Sequence, residues 1–415
     1  SRLGISKETE IGSIVCEPGF DPYERDDGLH PNNIMKNANK KLSYNEWLNK
    51  LGYEGENPWD SWANSVNGEN GEVLSGWRLR NSNKPSRLPE KHSETAFMTN
   101  RAIDFIKETK EQWFLHLSYI KPHWPYIAPA PYHNMYSQNQ FYPVQRSESE
   151  KKIDHPVYKA FMDNKISKTF TEDKVRETVL AGYMGLIKQI DDNLGRLFKF
   201  LEENGNMKDT MIVFTSDHGD YHGDHWLGEK ELFHEQIVKV PMIIYDPSDE
   251  ANNTRGNKEE RFIEAIDLLP TFLDAVDSKA SKHRLEGMSL IPLLRNKKNV
   301  KWRESVFSEI DYSFNEAREI LNLGASDARA FMIRNKKWKY IHYKGFPPQL
   351  FDLENDKDEF NDLGRSKDHQ NILNQMRDLL LERLTDRKNR IAADDEFVLK
   401  DRDYTKDGGI MIGVW

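Results

Sequence analysis

The chain has almost no cysteine. Cys16 is the only one in 415 residues, so neither an internal disulfide framework nor a cysteine-built zinc site is possible within it. A single thiol suits a reducing compartment, and a cytoplasmic location is the expectation. Long apolar runs are missing as well: nothing approaches the roughly 20 consecutive apolar residues a helix needs to cross a bilayer, so no membrane partner is expected. Positive charge is not in excess, with 59 Lys and Arg against 68 Asp and Glu for a formal net charge of -9. Nucleic-acid binders need clustered cations to displace counterions from phosphates. No nucleic-acid partner is therefore expected, although a local cationic pocket for one small anion stays compatible with this balance. The opening residues Ser1-Arg2-Leu3-Gly4-Ile5 lack an initiator Met and the charged-then-apolar pattern of a signal peptide, so the chain reads as a fragment or a processed product.

What is present is ordinary for a globular protein: 37% hydrophobic and 31% charged residues, in a chain long enough for one large α/β domain with a smaller appendage. Residues 1–92 are rich in Asn, Gly, Trp and charge without sustained periodicity, and predict long loops and short helices outside the core. Ser93-Glu94-Thr95 is a capping-type start that leads into Ala96, Phe97, Ala102, Ile103 and Ile106 at helical spacing. The run Trp113-Phe114-Leu115-His116-Leu117-Ser118-Tyr119 then predicts a buried strand. A second unit repeats the pattern. Its helix spans about 172–204, with Val175, Val179, Tyr183, Leu186, Ile187, Ile190, Leu194, Leu197 and Leu201 on one stripe. Gly205 stops it, and buried strands follow at 211–215 and 240–245, with a helix over 263–276. Strands alternating with amphipathic helices predict an α/β fold with a mostly parallel central sheet covered by helices on both faces.

The pattern changes in the last third. Trp338-Lys339-Tyr340-Ile341-His342-Tyr343 alternates, a turn through Gly345-Phe346-Pro347-Pro348 follows, and Gln349-Leu350-Phe351-Asp352-Leu353 is its antiparallel partner. A helix over 370–387 is expected on that small sheet. These signals divide the chain into a large domain, 1–300, and a C-terminal subdomain, 301–415. The apolar ending Gly408-Gly409-Ile410-Met411-Ile412-Gly413-Val414-Trp415 predicts a docking tail and a homo-oligomer.

Chemistry concentrates in Thr215-Ser216-Asp217-His218-Gly219-Asp220-Tyr221-His222-Gly223-Asp224-His225-Trp226-Leu227-Gly228-Glu229-Lys230. Ligands of open α/β sheets bind beyond the carboxyl ends of strands, where this cluster begins. Asp217 and His218 are adjacent oxygen and nitrogen donors that a tight loop can turn towards one cation, and Gly219 allows the turn. The bland alternative is a capped turn whose histidines are satisfied by hydrogen bonds. Lys230 is either a solvated charge or the stabiliser of oxyanion charge on a bound sulfate or phosphate. In Lys121-Pro122-His123-Trp124-Pro125-Tyr126 the prolines restrict the backbone and hold His123 where it can protonate a leaving oxygen, unless the turn serves packing alone.

Together these two motifs resemble the sulfatase branch of the alkaline phosphatase superfamily, and more closely its phosphonate monoester hydrolase and arylsulfatase group. Lys121 to Tyr126 looks like the K/R-P-H-x-P-F/Y signature, and Ser216-Asp217-His218-Gly219 with Gly223-Asp224-His225 and Lys230 looks like the metal and lysine segment. Gly19-Phe20-Asp21-Pro22-Tyr23-Glu24-Arg25-Asp26-Asp27-Gly28-Leu29-His30-Pro31, Asp311-Tyr312-Ser313-Phe314, Trp338-Lys339-Tyr340 and Leu350-Phe351-Asp352-Leu353 resemble further stretches in the same order. The resemblance implies that residues 1–300 form an incomplete alkaline-phosphatase-like domain acting on a small anionic ester. It gives Asp217 and His218 one divalent cation (Ca, Mg or Mn), His123 the substrate anion or leaving group, and Lys230 a non-bridging oxygen. The family nucleophile is a formylglycine made from C/S-x-P-x-R, with further metal ligands on the first strand. Cys16-Glu17-Pro18-Gly19-Phe20 has Phe where Arg belongs, so Cys16 is rejected as nucleophile. The modified residue is expected upstream of Ser1, and a chain without it is expected to be inactive alone. A non-catalytic anion-binding or assembly protein is the competing reading, and a phosphate mutase a third.

Overall fold

Ser93 caps the first long helix as its side chain is suited to do. The hydroxyl accepts the Ala96 amide at 3.2 Å, and the helix runs Glu94–Glu108, so one donor of its first turn is satisfied. The computed structural model describes residues 20, 23–24, 42–278, 281–390 and 393–404. Cys16, most of the Gly19 to Pro31 stretch and the tail from Gly408 lie outside the described residues. Two compact units divide the chain: Ser1–Pro143 with Phe170–Lys208, and Val144–Thr169 with Asp209–Trp415. No described helix is long and apolar enough to cross a membrane.

In the first unit the long helix is Asp173–Glu203. Val179, Leu186, Ile190, Leu197 and Leu201 of the expected stripe are buried, while Ile187 is 45% exposed. Gly182 and Gly185 interrupt that stripe for a reason. A Cβ at Gly182 would lie 2.6 Å from the Tyr126 carbonyl oxygen, and one at Gly185 only 2.3 Å from that of Tyr132. The backbone that follows the Lys121 to Tyr126 motif is thus laid directly on the helix, at a separation no side chain permits. Residues 42–92 depart from expectation. They contain the helix Ser43–Lys50 and a small antiparallel hairpin, β1 (Ser65–Asn67) and β2 (Val73–Ser75). Tyr44, Leu48, Trp59 and Leu88 form a buried cluster with Phe97. Large aromatic rings bury much apolar area per residue, so this segment builds a core without showing a period.

The second unit contains β3 (Ile212–Thr215), β4 (Met242–Tyr245), β5 (Val306–Asp311), β6 (Arg329–Arg334), β7 (Trp338–Tyr343) and β8 (Gln349–Asp352). The last four form one antiparallel sheet in the order β5-β6-β7-β8, which bears out the small C-terminal sheet. The helix Gln370–Thr385 covers one face, packing Leu373, Met376 and Leu380 on Ile333, Tyr340 and Leu350. Ala330, Met332, Ile341, Tyr343 and Phe351 alternate to the opposite face. There they meet Tyr221, Leu227, Leu232 and Phe233, so the segment carrying the proposed chemistry is part of this core.

The mixed α/β organisation holds, and the expected parallel pairing is corrected. Every ladder among the described residues is antiparallel, including β3 with β4. A parallel connection needs a long crossover, normally a helix, and between β3 and β4 the chain forms only the single turn Glu235–Val238 as α-helix. Both strands are also less buried than expected, with Phe214 37% and Ile243 64% exposed. The segment 113–119, expected as a buried strand, alternates between half-buried and exposed residues, with Phe114 54% exposed, and it joins no ladder among the described residues. The helix expected over 263–276 narrows to Leu268–Ala275 behind a 3-10 turn at Ala265–Asp267.

Candidate active site

β3 ends at Thr215, and the chain turns at once. Gly219 is what allows the turn: its amide donates to the Ile237 carbonyl at 2.9 Å, and a Cβ there would sit 1.8 Å from the Gln236 carbonyl oxygen. Two residues earlier, the turn aims two donors at the same point. Asp217 Oδ1 accepts the His218 amide at 3.0 Å, which leaves Oδ2 3.4 Å from His218 Nε2. His218 Nδ1 lies 2.7 Å from the Gly219 carbonyl. A carbonyl can only accept, so Nδ1 carries the hydrogen and Nε2 presents its lone pair. A carboxylate oxygen and an imidazole nitrogen so placed suit two neighbouring positions on one cation. Asp217 is 83% exposed on its side chain and His218 31%, so the pair is accessible. Among the described residues, no group of three or more His, Cys, Asp or Glu has metal-holding geometry.

Beyond Asp220 the same loop dives into the core. His225 is fully buried and pairs with Glu150 at 2.7 Å. Glu150 also accepts the Tyr158 hydroxyl at 2.9 Å. The His225 ring stacks on His234 with centroids 3.9 Å apart, and the Tyr221 hydroxyl meets His234 Nδ1 at 2.7 Å. Burial first, and then the nearby His225 and Lys339 charges, hold His234 well below the usual imidazole range. His222 lies 3.3 Å from Asp220 and is nearly buried. For His222 and His225 the bland reading therefore prevails: both serve the core.

This loop also carries backbone strain. His222, His225, Trp226, Glu229 and Leu232 all have positive φ, between 44° and 75°, a region that costs non-glycine residues about 1–3 kcal/mol each and that gathers at functional sites. Packing must hold it. Lys339 of β7, 0% exposed, donates to the Phe233 carbonyl at 2.7 Å. It also pairs with Glu235 at 2.8 Å and Glu359 at 2.7 Å. Lys230, which lies in sequence between the Asp217-His218 turn and Phe233, is half-buried, with its amide on the Glu231 carboxylate at 3.3 Å. Burial, reinforced by Glu231, pushes Glu229 up to about 7. Sequence reasoning missed the clamp. Its only trace was Lys339 at an inward position of an alternating strand.

His123 belongs to the first unit. Its amide donates to the Ile120 carbonyl at 3.1 Å, and Nδ1 lies 2.8 Å from the Trp124 carbonyl, so Nδ1 carries the hydrogen of that contact. Trp124 packs edge-on against Trp77 at 5.3 Å. Lys121 is buried, with Nζ 2.7 Å from both Asn64 Oδ1 and the Pro125 carbonyl. Burial lowers it to about 8 against the opposing pull of Glu94.

The sulfatase family profile matches residues 21–278, which takes in the His123 motif and the whole loop from Asp217 to Lys230. The chain belongs to the sulfatase family. A second profile, N-sulphoglucosamine sulphohydrolase C-terminal, matches residues 223–386. The chain is 34% identical over 299 residues to the multifunctional alkaline phosphatase superfamily protein PehA of Trinickia caryophylli, covering 68% of itself and 57% of that protein. Over 333 residues it is 28% identical to an arylsulfatase of Clostridium perfringens, covering 79% and 66%. Among solved structures, the phosphonate monoester hydrolase of Silicibacter pomeroyi superposes with a TM-score of 0.73 at 26% identity, over 84% of this chain and 70% of that one. That of Agrobacterium radiobacter gives 0.70 at 26%, over 82% and 68%. The resemblance drawn from the two motifs is thus borne out. The chain spans 57% and 66% of the lengths of the two curated relatives named.

Proposed function

We propose that the protein hydrolyses sulfuric esters, or phosphonate and phosphate esters, with a divalent cation bound by Asp217 and His218. The observation that carries this reading is the convergence of Asp217 Oδ2 and His218 Nε2 at 3.4 Å, with His218 Nδ1 tied to a carbonyl. Hard cations such as Ca, Mg or Mn accept such a pair. When bound, the cation supplies charge neutralisation on the ester oxygens. The nucleophile proposed by family likeness is a formylglycine. No C/S-x-P-x-R motif occurs among the 415 residues, so no residue here is assigned that part.

The chain's own residues account for two further needs of the reaction. Cleaving an S–O or P–O ester bond leaves charge on the departing oxygen, which a proton from His123 Nε2 neutralises. Charge also builds on the non-bridging oxygens, and the Lys230 ammonium stabilises it. The relatives named as arylsulfatase and as phosphonate monoester hydrolases support both ester classes.

The test uses the full-length protein with aryl sulfates and phenylphosphonate esters of differing leaving group. Lys230→Ala is expected to lose more than about a hundredfold in kcat/KM on every ester, a loss typical of one electrostatic stabiliser. His123→Ala is expected to lose as much on phenyl esters and far less on 4-nitrophenyl esters, whose leaving group needs no proton. Unchanged rates in both variants contradict the assignment and favour the anion-binding alternative.

A further inference from the structure

Lys121 is the motif residue that the proposed reaction leaves without a task. Its burial asks for one, because a buried ammonium is costly and an apolar side chain of similar length fills such space at no desolvation cost. Its Nζ makes two short contacts. The one to the Pro125 carbonyl, at 2.7 Å, closes Lys121 to Pro125 on itself around His123. The other, to Asn64 Oδ1 at 2.7 Å, fastens the closed turn to a fixed point. Asn64 is itself fully buried, donates to the Trp59 carbonyl at 3.0 Å and accepts the Gly76 amide at 2.9 Å. Glu94, 5% exposed in the first turn of its helix, supplies the counter-charge. Lys121 and Glu94 both line a small, water-sized cavity of about 20 Å3.

From this arrangement we infer that Lys121, held by Asn64 and balanced by Glu94, is a positioning residue that sets the orientation of His123 for proton transfer. The inference rests on the proposed role of His123. The imidazole keeps its own bond to the Trp124 carbonyl at 2.8 Å, but that carbonyl belongs to the very turn that Lys121 closes. Releasing the turn therefore moves the ring and its partner together, and a displacement near 1 Å at a proton donor costs on the order of a hundredfold in rate.

Leaving-group dependence separates positioning from mere support of the fold. In the full-length protein, Lys121→Met is compared with Lys121→Arg, which keeps charge and donors, and with His123→Ala. Should Lys121→Met leave Glu94 uncompensated and fail to fold, Lys121→Met/Glu94→Gln removes both charges and replaces it. The expected result is a tenfold to hundredfold loss of kcat on phenyl sulfate or phenyl phosphonate esters and less than about threefold on 4-nitrophenyl esters. KM should change little, and Lys121→Arg should recover most of the rate. An equal loss on both ester types, while His123→Ala discriminates between them, overturns the inference and leaves the reading of His123 intact. If His123→Ala itself shows no discrimination, the acid role fails and the inference falls with it.

Discussion

An imidazole with one nitrogen tied to a carbonyl has only the other to offer, and His123 and His218 are both held that way, through Trp124 and Gly219. In the proposed reaction the same device serves two tasks, proton delivery by one ring and cation binding by the other, because the surroundings differ. His218 faces a carboxylate at 3.4 Å, whereas His123 sits in a turn closed by a buried ammonium. Asp217→Asn removes the charge that draws a cation and is expected to weaken Ca2+, Mg2+ or Mn2+ binding at least about a hundredfold, beyond the loss usual for outer-shell partners. Calorimetric titration of the full-length protein checks this, and unchanged affinity sinks the ligand assignment. At this scale much was legible in the sequence: Asp217 and His218 stand side by side behind an apolar strand, and Gly219 announces the turn. The burial of His225 in the core was not legible, since it depends on Glu150, distant in sequence, and on the stacked His234.

At the scale of elements, the site loop depends on the C-terminal sheet. Leu227, Leu232 and Phe233 fill the face of that sheet opposite the helix Gln370–Thr385, and Lys339 holds the Phe233 carbonyl and two carboxylates. Lys339→Met takes from the buried Glu359 the cation at 2.7 Å, while Glu235 keeps Arg334 at 3.1 Å. Breaking a buried pair in this way costs about 3–5 kcal/mol, to be read as a fall in unfolding free energy in denaturant titration. A change below about 1 kcal/mol would show that the cluster does not hold the loop. Helices were the most legible elements, because the periods of 94–108 and 173–203 and the Ser93 cap are local properties. Strand pairing was not, since an apolar run such as 113–119 or 211–215 records a strand-like segment and nothing about its neighbour. The aromatic core around Trp59 was equally hidden, since rings that bury so much area need no period.

At the scale of the whole molecule, acid sensitivity follows from His234. Its folded pKa is depressed by burial and by the His225 and Lys339 charges, while the unfolded chain titrates near 6.5. Below 6.5 the unfolded state takes up a proton that the folded state refuses. Stability is therefore unaffected by this group above about pH 7.5 and declines as pH falls, by up to about 1.4 kcal/mol per unit. Denaturation curves at pH 7.5, 6.0 and 5.0 should show that decline, and His234→Gln should flatten it. A slope equal in both proteins would contradict the assignment. Membership of the sulfatase family rests on a match across 21–278, but the hydrolytic claim rests on the cation pair and needs turnover to establish it. The most direct measurement is release of 4-nitrophenol from 4-nitrophenyl sulfate and a 4-nitrophenyl phosphonate by the full-length protein, before and after removal of divalent cations. Turnover that disappears with chelation, returns with Ca2+, Mg2+ or Mn2+, and fails to return in Asp217→Asn is the predicted result. Turnover indifferent to the cation, or none with any cation, contradicts the account.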